Sequence, residues 1–164
     1  MYPFWRINGS TVDIRARALI SFLGKQGFGR FQTVEGRTQK TELFKNDKGV
    51  LQIHDASSIK NWLIEYVETT EEYEDSSGNK LQIDEGERFD VSDKLIKTTP
   101  SVLQNWMQSL SAWSESGLQG TKKINMFRDD EDNCYIPFKN GVVHITAKKV
   151  ELLDSDALAD KGCI

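Results

Sequence analysis

The strongest constraint on this chain is the apolar spacing behind Asp55. Ile59, Trp62, Leu63, Tyr66 and Val67 recur at i, i+3, i+4, i+7 and i+8, one stripe of a helix whose start Asp55 is placed to cap. Such a stripe has to be covered by another layer. Short β-prone runs supply it. Residues 4–7 and 11–14 flank Asn8-Gly9-Ser10, and residues 42–45 and 50–54 flank Asn46-Asp47-Lys48-Gly49; both read as hairpins, because Asn and Gly accept the positive φ of tight turns.

The rest of the chain follows from the same periodicities. Residues 15–26 carry Ala16, Leu19, Ile20, Phe22 and Leu23 at near-helical spacing and stop at Gly27, a helix terminator. Residues 28–34 read as extended and 35–41 as a polar loop. Residues 68–80, acidic and closed by Ser76-Ser77-Gly78-Asn79, predict a frayed helix end running into a mobile loop. A short helix is predicted at 90–97. Another starts at Thr99-Pro100 and carries Leu103, Trp106, Met107, Leu110 and Trp113 to an end near Ser116-Gly117. From Lys122 the pattern turns to β: a run to Phe127, then 134–138, the Asn140-Gly141 turn, 142–146 and 150–153.

The expected fold is therefore α+β: antiparallel sheet and β-hairpins, three to four helices and a C-terminal β-meander. The expected organisation is one domain over 1–154, with sub-lobes 1–70 and 95–154 joined by an acidic loop 71–93, and a polar tail at 155–164.

With 164 residues the chain has the length of one ordinary domain. It contains no apolar run of the roughly 18 residues a membrane span needs and does not open like a signal peptide, so the expected setting is cytoplasmic, without membrane contact. Two cysteines, Cys134 and Cys163, are too few for a disulfide framework or a thiolate zinc site. The net charge of −4 is unevenly spread. Residues 1–64 hold ten basic against five acidic residues, 65–93 hold two against eleven, and 94–164 hold nine against nine. A basic front can approach a polyanion; an acidic middle repels one.

Catalytic signatures are scarce. There is no GxxxxGK[ST] loop, no GxSxG elbow and no HExxH or CxxC spacing. His54 and His144 read as surface or half-buried sheet residues, Cys134 as a small core hydrophobe, and Trp62, Trp106 and Trp113 as core; Trp5 stays open. The acids at 129–132 read as a solvated turn. Asp154-Ser155-Asp156 has the Asp-x-Asp form suited to metal ions but stands at the edge of a polar tail. No catalytic residue, metal ligand or cofactor is assigned. The remaining candidates are Arg15, Arg17, Lys25, Arg30, Arg37 and Lys40, interleaved with Phe28 and Phe31. Guanidinium forks on phosphates and rings on bases suit single-stranded nucleic acid; scattered solubilising charge is the alternative.

Two segments carry a family likeness. FWRINGSTVDIRARALISFLGKQGFGRF, with FKNDKGVLQIHDASSIKNWLIEYV after it, and DNCYIPFKNGVVHITAKKVELLD resemble the region that precedes the ATPase in phage and plasmid primase-helicases. The resemblance covers most of residues 4–154. It implies a non-catalytic accessory module of a replication protein, either separate or a fragment cut before the motor. The implied partners are single-stranded or forked DNA and a helicase ATPase domain in cis or in trans. The Walker loop is missing, so helicase activity does not carry over. Two other readings stand beside this one: an assembly domain that never touches nucleic acid and docks through the acidic stretch 68–93, and a small metal-dependent nuclease or primase using Asp129, Asp130, Asp154 and Asp156.

Overall fold

The computed structural model describes residues 4–35, 37–47, 49–74, 79–126, 128–138 and 141–153. In chain order the elements are β1 (Trp5–Asn8), β2 (Thr11–Ile14), α1 (Ala16–Lys25), β3 (Phe28–Glu35), β4 (Thr38–Asp47), β5 (Val50–His54) and α2 (Ala56–Thr69). They continue with β6 (Glu72–Glu74), β7 (Lys80–Gln82), α3 (Glu85–Lys97), α4 (Pro100–Met107), β8 (Ala112–Ser114), β9 (Lys122–Lys123), β10 (Cys134–Phe138), β11 (Gly141–Ile145) and β12 (Val150–Leu153). The fold is mixed α+β, as expected, and none of the described helices is long and apolar enough to cross a membrane.

The chain divides into two units, each made of two separate stretches: residues 1–26 with 54–110, and 27–53 with 111–164. The cuts fall beside Gly27, Ile53 and Leu110, and the 71–93 stretch lies inside the first unit.

The first unit is helical around an apolar centre. Leu19 and Leu23 of α1, Ile59, Leu63 and Val67 of α2, Val91 and Leu95 of α3, and Leu103 and Met107 of α4 are all fully buried. Each such side chain stabilises the fold by roughly 1.5–3 kcal/mol relative to exposure. The stripe read from the sequence behind Asp55 is thus the central seam. Its larger members Trp62 and Tyr66 are half-buried and stack at 5.5 Å, with Phe22 beside Tyr66 at 4.8 Å. Asp55 caps α2 by accepting from the Ser58 N–H at 2.6 Å. The β1–β2 ribbon turns through Gly9 at φ 61°, with Asn8 already in the strand opposite Thr11.

Two expectations fail within this unit. The acidic segment is not a frayed helix end: α2 stops at Thr69, and β6 pairs antiparallel with β7, Tyr73 opposite Leu81 and Glu74 opposite Lys80, while residues 75–78 of the predicted mobile loop lie outside the described residues. Alternation puts the apolar pair on one face and Glu72 and Lys80 on the other, where they meet at 3.2 Å. The next helix begins at 85 rather than 90. Asp84 caps it by accepting from the Glu87 N–H at 2.8 Å, and Glu85 and Glu87 sit in its positive first turn. Part of the charge that suggested a loop is a helix start.

The second unit is built on a five-stranded sheet ordered β5-β4-β3-β8-β9. The β3–β4 ladder is long, running from Phe28 opposite Lys45 to Glu35 opposite Thr38. The segment predicted as a loop over 35–41 is therefore mostly strand. Its polar residues extend the ribbon into solvent, where Gln39 donates to Gln32 at 2.9 Å. A second correction concerns the helix predicted to reach 116. α4 ends at Met107, and Trp113 lies on β8, which joins β3 in parallel with Arg30 beside Ala112 and Phe31 beside Trp113. Pairing with β3, begun by the Arg30 N–H donating to the Ser111 carbonyl at 2.9 Å, outcompetes continuation of the helix. β9 then runs parallel to β8 over two residues only; Phe127, predicted to end that run, lies outside the described residues.

The C-terminal strands form a three-stranded antiparallel sheet in the order β10-β11-β12. Residues 139–140 of its predicted Asn-Gly turn, and the tail at 154–164, lie outside the described residues.

Candidate functional site

A groove of about 360 Å³ opens in the first unit, lined by Trp5, Arg6, Ile7, Arg15, Tyr73, Leu81 and Glu87. Its volume falls in the range of small-ligand sites. Each lining residue is placed by a local rule. On β1, alternation sets Trp5 and Ile7 on one face and Arg6 on the other, opposite Asp13. Arg15 is the junction residue between β2 and α1; its N–H donates to the Phe4 carbonyl at 2.8 Å, which pins the start of the helix to β1. Tyr73 and Leu81 are the cross-strand pair of β6 and β7. Glu87 stands in the first turn of α3.

Trp5 is buried and holds the groove together. Its indole N–H donates to Glu87 Oε1 at 2.6 Å, its ring meets Phe4 edge-on at 4.8 Å, and Tyr73 lies edge-on to it at 6.0 Å. Ile7 and Leu81 are exposed large apolar residues beside it. The groove thus combines an apolar, partly aromatic lining with two guanidinium groups and a carboxylate. Guanidinium forks match phosphate oxygens bidentately, a ring takes a base by its π face, and a carboxylate accepts from exocyclic amino groups.

Of the six cationic candidates, only Arg15 lines this groove. Arg17 and Lys25 are exposed on α1, two turns or about 12 Å apart along its axis. The other three belong to the second unit. Arg30 stands opposite Leu43 on one face of the β3–β4 ribbon, and Lys40 stands opposite Thr33 on the other. Lys40 pairs with Glu42 at 2.8 Å, and Arg37 is exposed in the turn between the strands. The interleaved rings are not splayed platforms: Phe28 is buried, and Phe31 is half-buried against Phe44 at 6.5 Å. The residues missed from the sequence are Arg6, Ile7, Tyr73, Leu81 and Glu87. Alternation about the Ser76-Ser77-Gly78-Asn79 turn signal is the trace that points to Tyr73 and Leu81.

The remaining candidates serve local structure. Asp129 accepts from the Tyr135 N–H at 2.7 Å, and Asp130 Oδ1 accepts from the N–H groups of Asp132 and Asn133 and from the Asn133 amide. The Asn133 side chain, then the backbone donors, hold the Asp130 carboxyl below the usual carboxylate range. Among the described residues no three His, Cys, Asp or Glu side chains converge as a metal site; Asp154 and Asp156 lie outside the described residues. His54 and His144 are both half-buried. The His144 ring stacks on Tyr135 at 4.6 Å and meets Glu151 through Nδ1 at 3.0 Å and Asn133 through Nε2 at 2.8 Å. Lys149, and then His144, lower the Glu151 carboxyl. Cys134 is a half-buried free thiol.

Comparison with known proteins finds no match among protein-family models, curated proteins or solved structures. The likeness to primase-helicases therefore rests on the two quoted segments alone.

Proposed function

We propose that this chain is a non-catalytic accessory module that contacts single-stranded nucleic acid through the Trp5–Tyr73 groove of its first unit. The carrying observation is that Arg15, a candidate from the sequence, lines one groove with Arg6 and the two aromatic residues. A base enters against Tyr73, Ile7 and Leu81, and the adjoining phosphates face Arg6 and Arg15. The wider setting, a phage-type primase-helicase with its motor in cis or in trans, is supported by the resemblance of the two segments.

Fluorescence anisotropy with a labelled oligothymidylate tests this reading. Two neutralised phosphates predict a slope of log K against log salt near −1.4, at about −0.7 per phosphate on a single strand. Tyr73→Ala is expected to cost about 1–3 kcal/mol of binding. Arg15→Ala is expected to weaken binding by about 1 kcal/mol or more and to flatten the slope. Arg37→Ala and Lys40→Ala leave binding unchanged. Absence of binding at low salt, or equal losses in the Arg15 and Lys40 variants, overturns the groove reading.

A further inference from the structure

The register of β10, β11 and β12 places Cys134, Ile136 and Phe138, then Val143 and Ile145, then Val150 and Leu152 on one face of the meander. All seven are apolar and none is buried; Ile136 is 40% exposed, Phe138 53%, Val150 69% and Leu152 54%. The opposite face carries Tyr135, His144 and Glu151 with their hydrogen bonds, and the fully buried Val142. An antiparallel sheet with one face covered normally turns polar residues outward; here the outward row is wholly apolar. These exposures leave on the order of 500 Å² open, near the upper limit for one patch on a monomer.

We infer that a second copy of this chain covers this face, sheet on sheet, about a two-fold axis parallel to β11. Three features favour a copy over another partner. The face bears no charge to select a charged partner, and a flat apolar sheet finds an equal match in itself, at the usual separation of about 10 Å. Two such faces bury about 1,000 Å² in total, the lower bound for a specific interface, so the dimer is weak. The flanking charges are also complementary under that axis. The acidic turn at 129–132 precedes β10, and Lys148 and Lys149 form the β11–β12 turn at the same end of the sheet. Rotation about an axis along the central strand lays β10 of each copy over β12 of the other, bringing each acidic turn to the other copy's lysines. Lys148 is exposed at that turn.

Sedimentation velocity on the full chain from about 1 to about 500 µM tests the inference. The expected result is a concentration-dependent dimer that Leu152→Lys weakens at least about tenfold, with unchanged circular dichroism. Val150→Lys serves the same purpose should Leu152→Lys misfold. Phe89→Lys, at an exposed apolar position on α3, leaves association intact. Lys148→Glu weakens the dimer, and Lys148→Glu with Glu131→Lys restores it. A monomer throughout, a dimer indifferent to both β12 variants, or one indifferent to Lys148→Glu overturns the proposal.

Discussion

Gly27 and Gly29 show how closely single residues are specified in the second unit. At Gly27 the backbone has φ 88°, and an added Cβ would run into the Asn46 carbonyl oxygen. At Gly29 it would meet the Phe44 ring at 2.7 Å, with Trp113 at 3.1 Å. Gly9 shares the positive φ but faces open space. Gly27→Ala is therefore expected to destabilise by roughly 2–3 kcal/mol and Gly9→Ala by about 1 kcal/mol, as midpoint shifts in urea unfolding will show. Protonation acts at the same scale. The Ser58 side chain and backbone lower the Asp55 carboxyl, as donors do at Asp130 and Glu151. A carboxyl depressed in the folded state contributes stability above its unfolded pKa of about 4 and loses it as pH falls through the lower folded value. The melting temperature should thus fall below about pH 4 and hold steady above pH 5 on this account. Asp55→Asn should flatten the acid limb in calorimetry.

Among the elements, Asp84 offers the cleanest test of a helix start, since its carboxylate meets the Glu87 N–H and two acids follow in the first turn. Asp84→Ala should cost about 1 kcal/mol and raise amide exchange in the first turn of α3. Because Glu87 also receives the Trp5 indole N–H, the same variant should perturb tryptophan fluorescence. Elements whose evidence is local were legible in the sequence: α2 from its stripe and cap, the hairpins from Asn and Gly, the meander from alternation. What escaped was decided by pairing, at long range for Trp113 and between strands adjacent in the chain for β6 and β7. Trp113 fits a helical stripe, yet β3 recruits it as a strand. Residues 72–74 and 80–82 are too short and too charged to announce a ribbon until paired. The groove was half legible for the same reason. Arg15 and Trp5 drew notice, whereas Tyr73, Leu81 and Glu87 join them only through pairing and packing.

At the scale of the whole molecule, the fold regroups the charge that the linear chain keeps apart. The unit holding residues 1–26 and 54–110 carries nine basic and thirteen acidic residues, net −4, and the other carries twelve of each. Half of the basic front, Arg6, Arg15, Arg17, Lys25 and Lys60, therefore shares a unit with the acidic middle, and Arg6 and Arg15 stand in a negative surround. Association with an oligonucleotide should accelerate less than about tenfold between 200 and 20 mM salt, below the 10–10³ typical of steered encounters, as stopped-flow mixing can measure. Residues 30 and 112 meet in one sheet, with α2, α3 and α4 in the intervening chain. On the ribosome, the β3–β4 hairpin emerges long before its neighbour is translated, so its inner edge waits unpaired while three helices are made. Refolding should be correspondingly slow, on the millisecond-to-second scale of non-local topologies, and nascent chains stalled before residue 112 should be the species that chaperones hold.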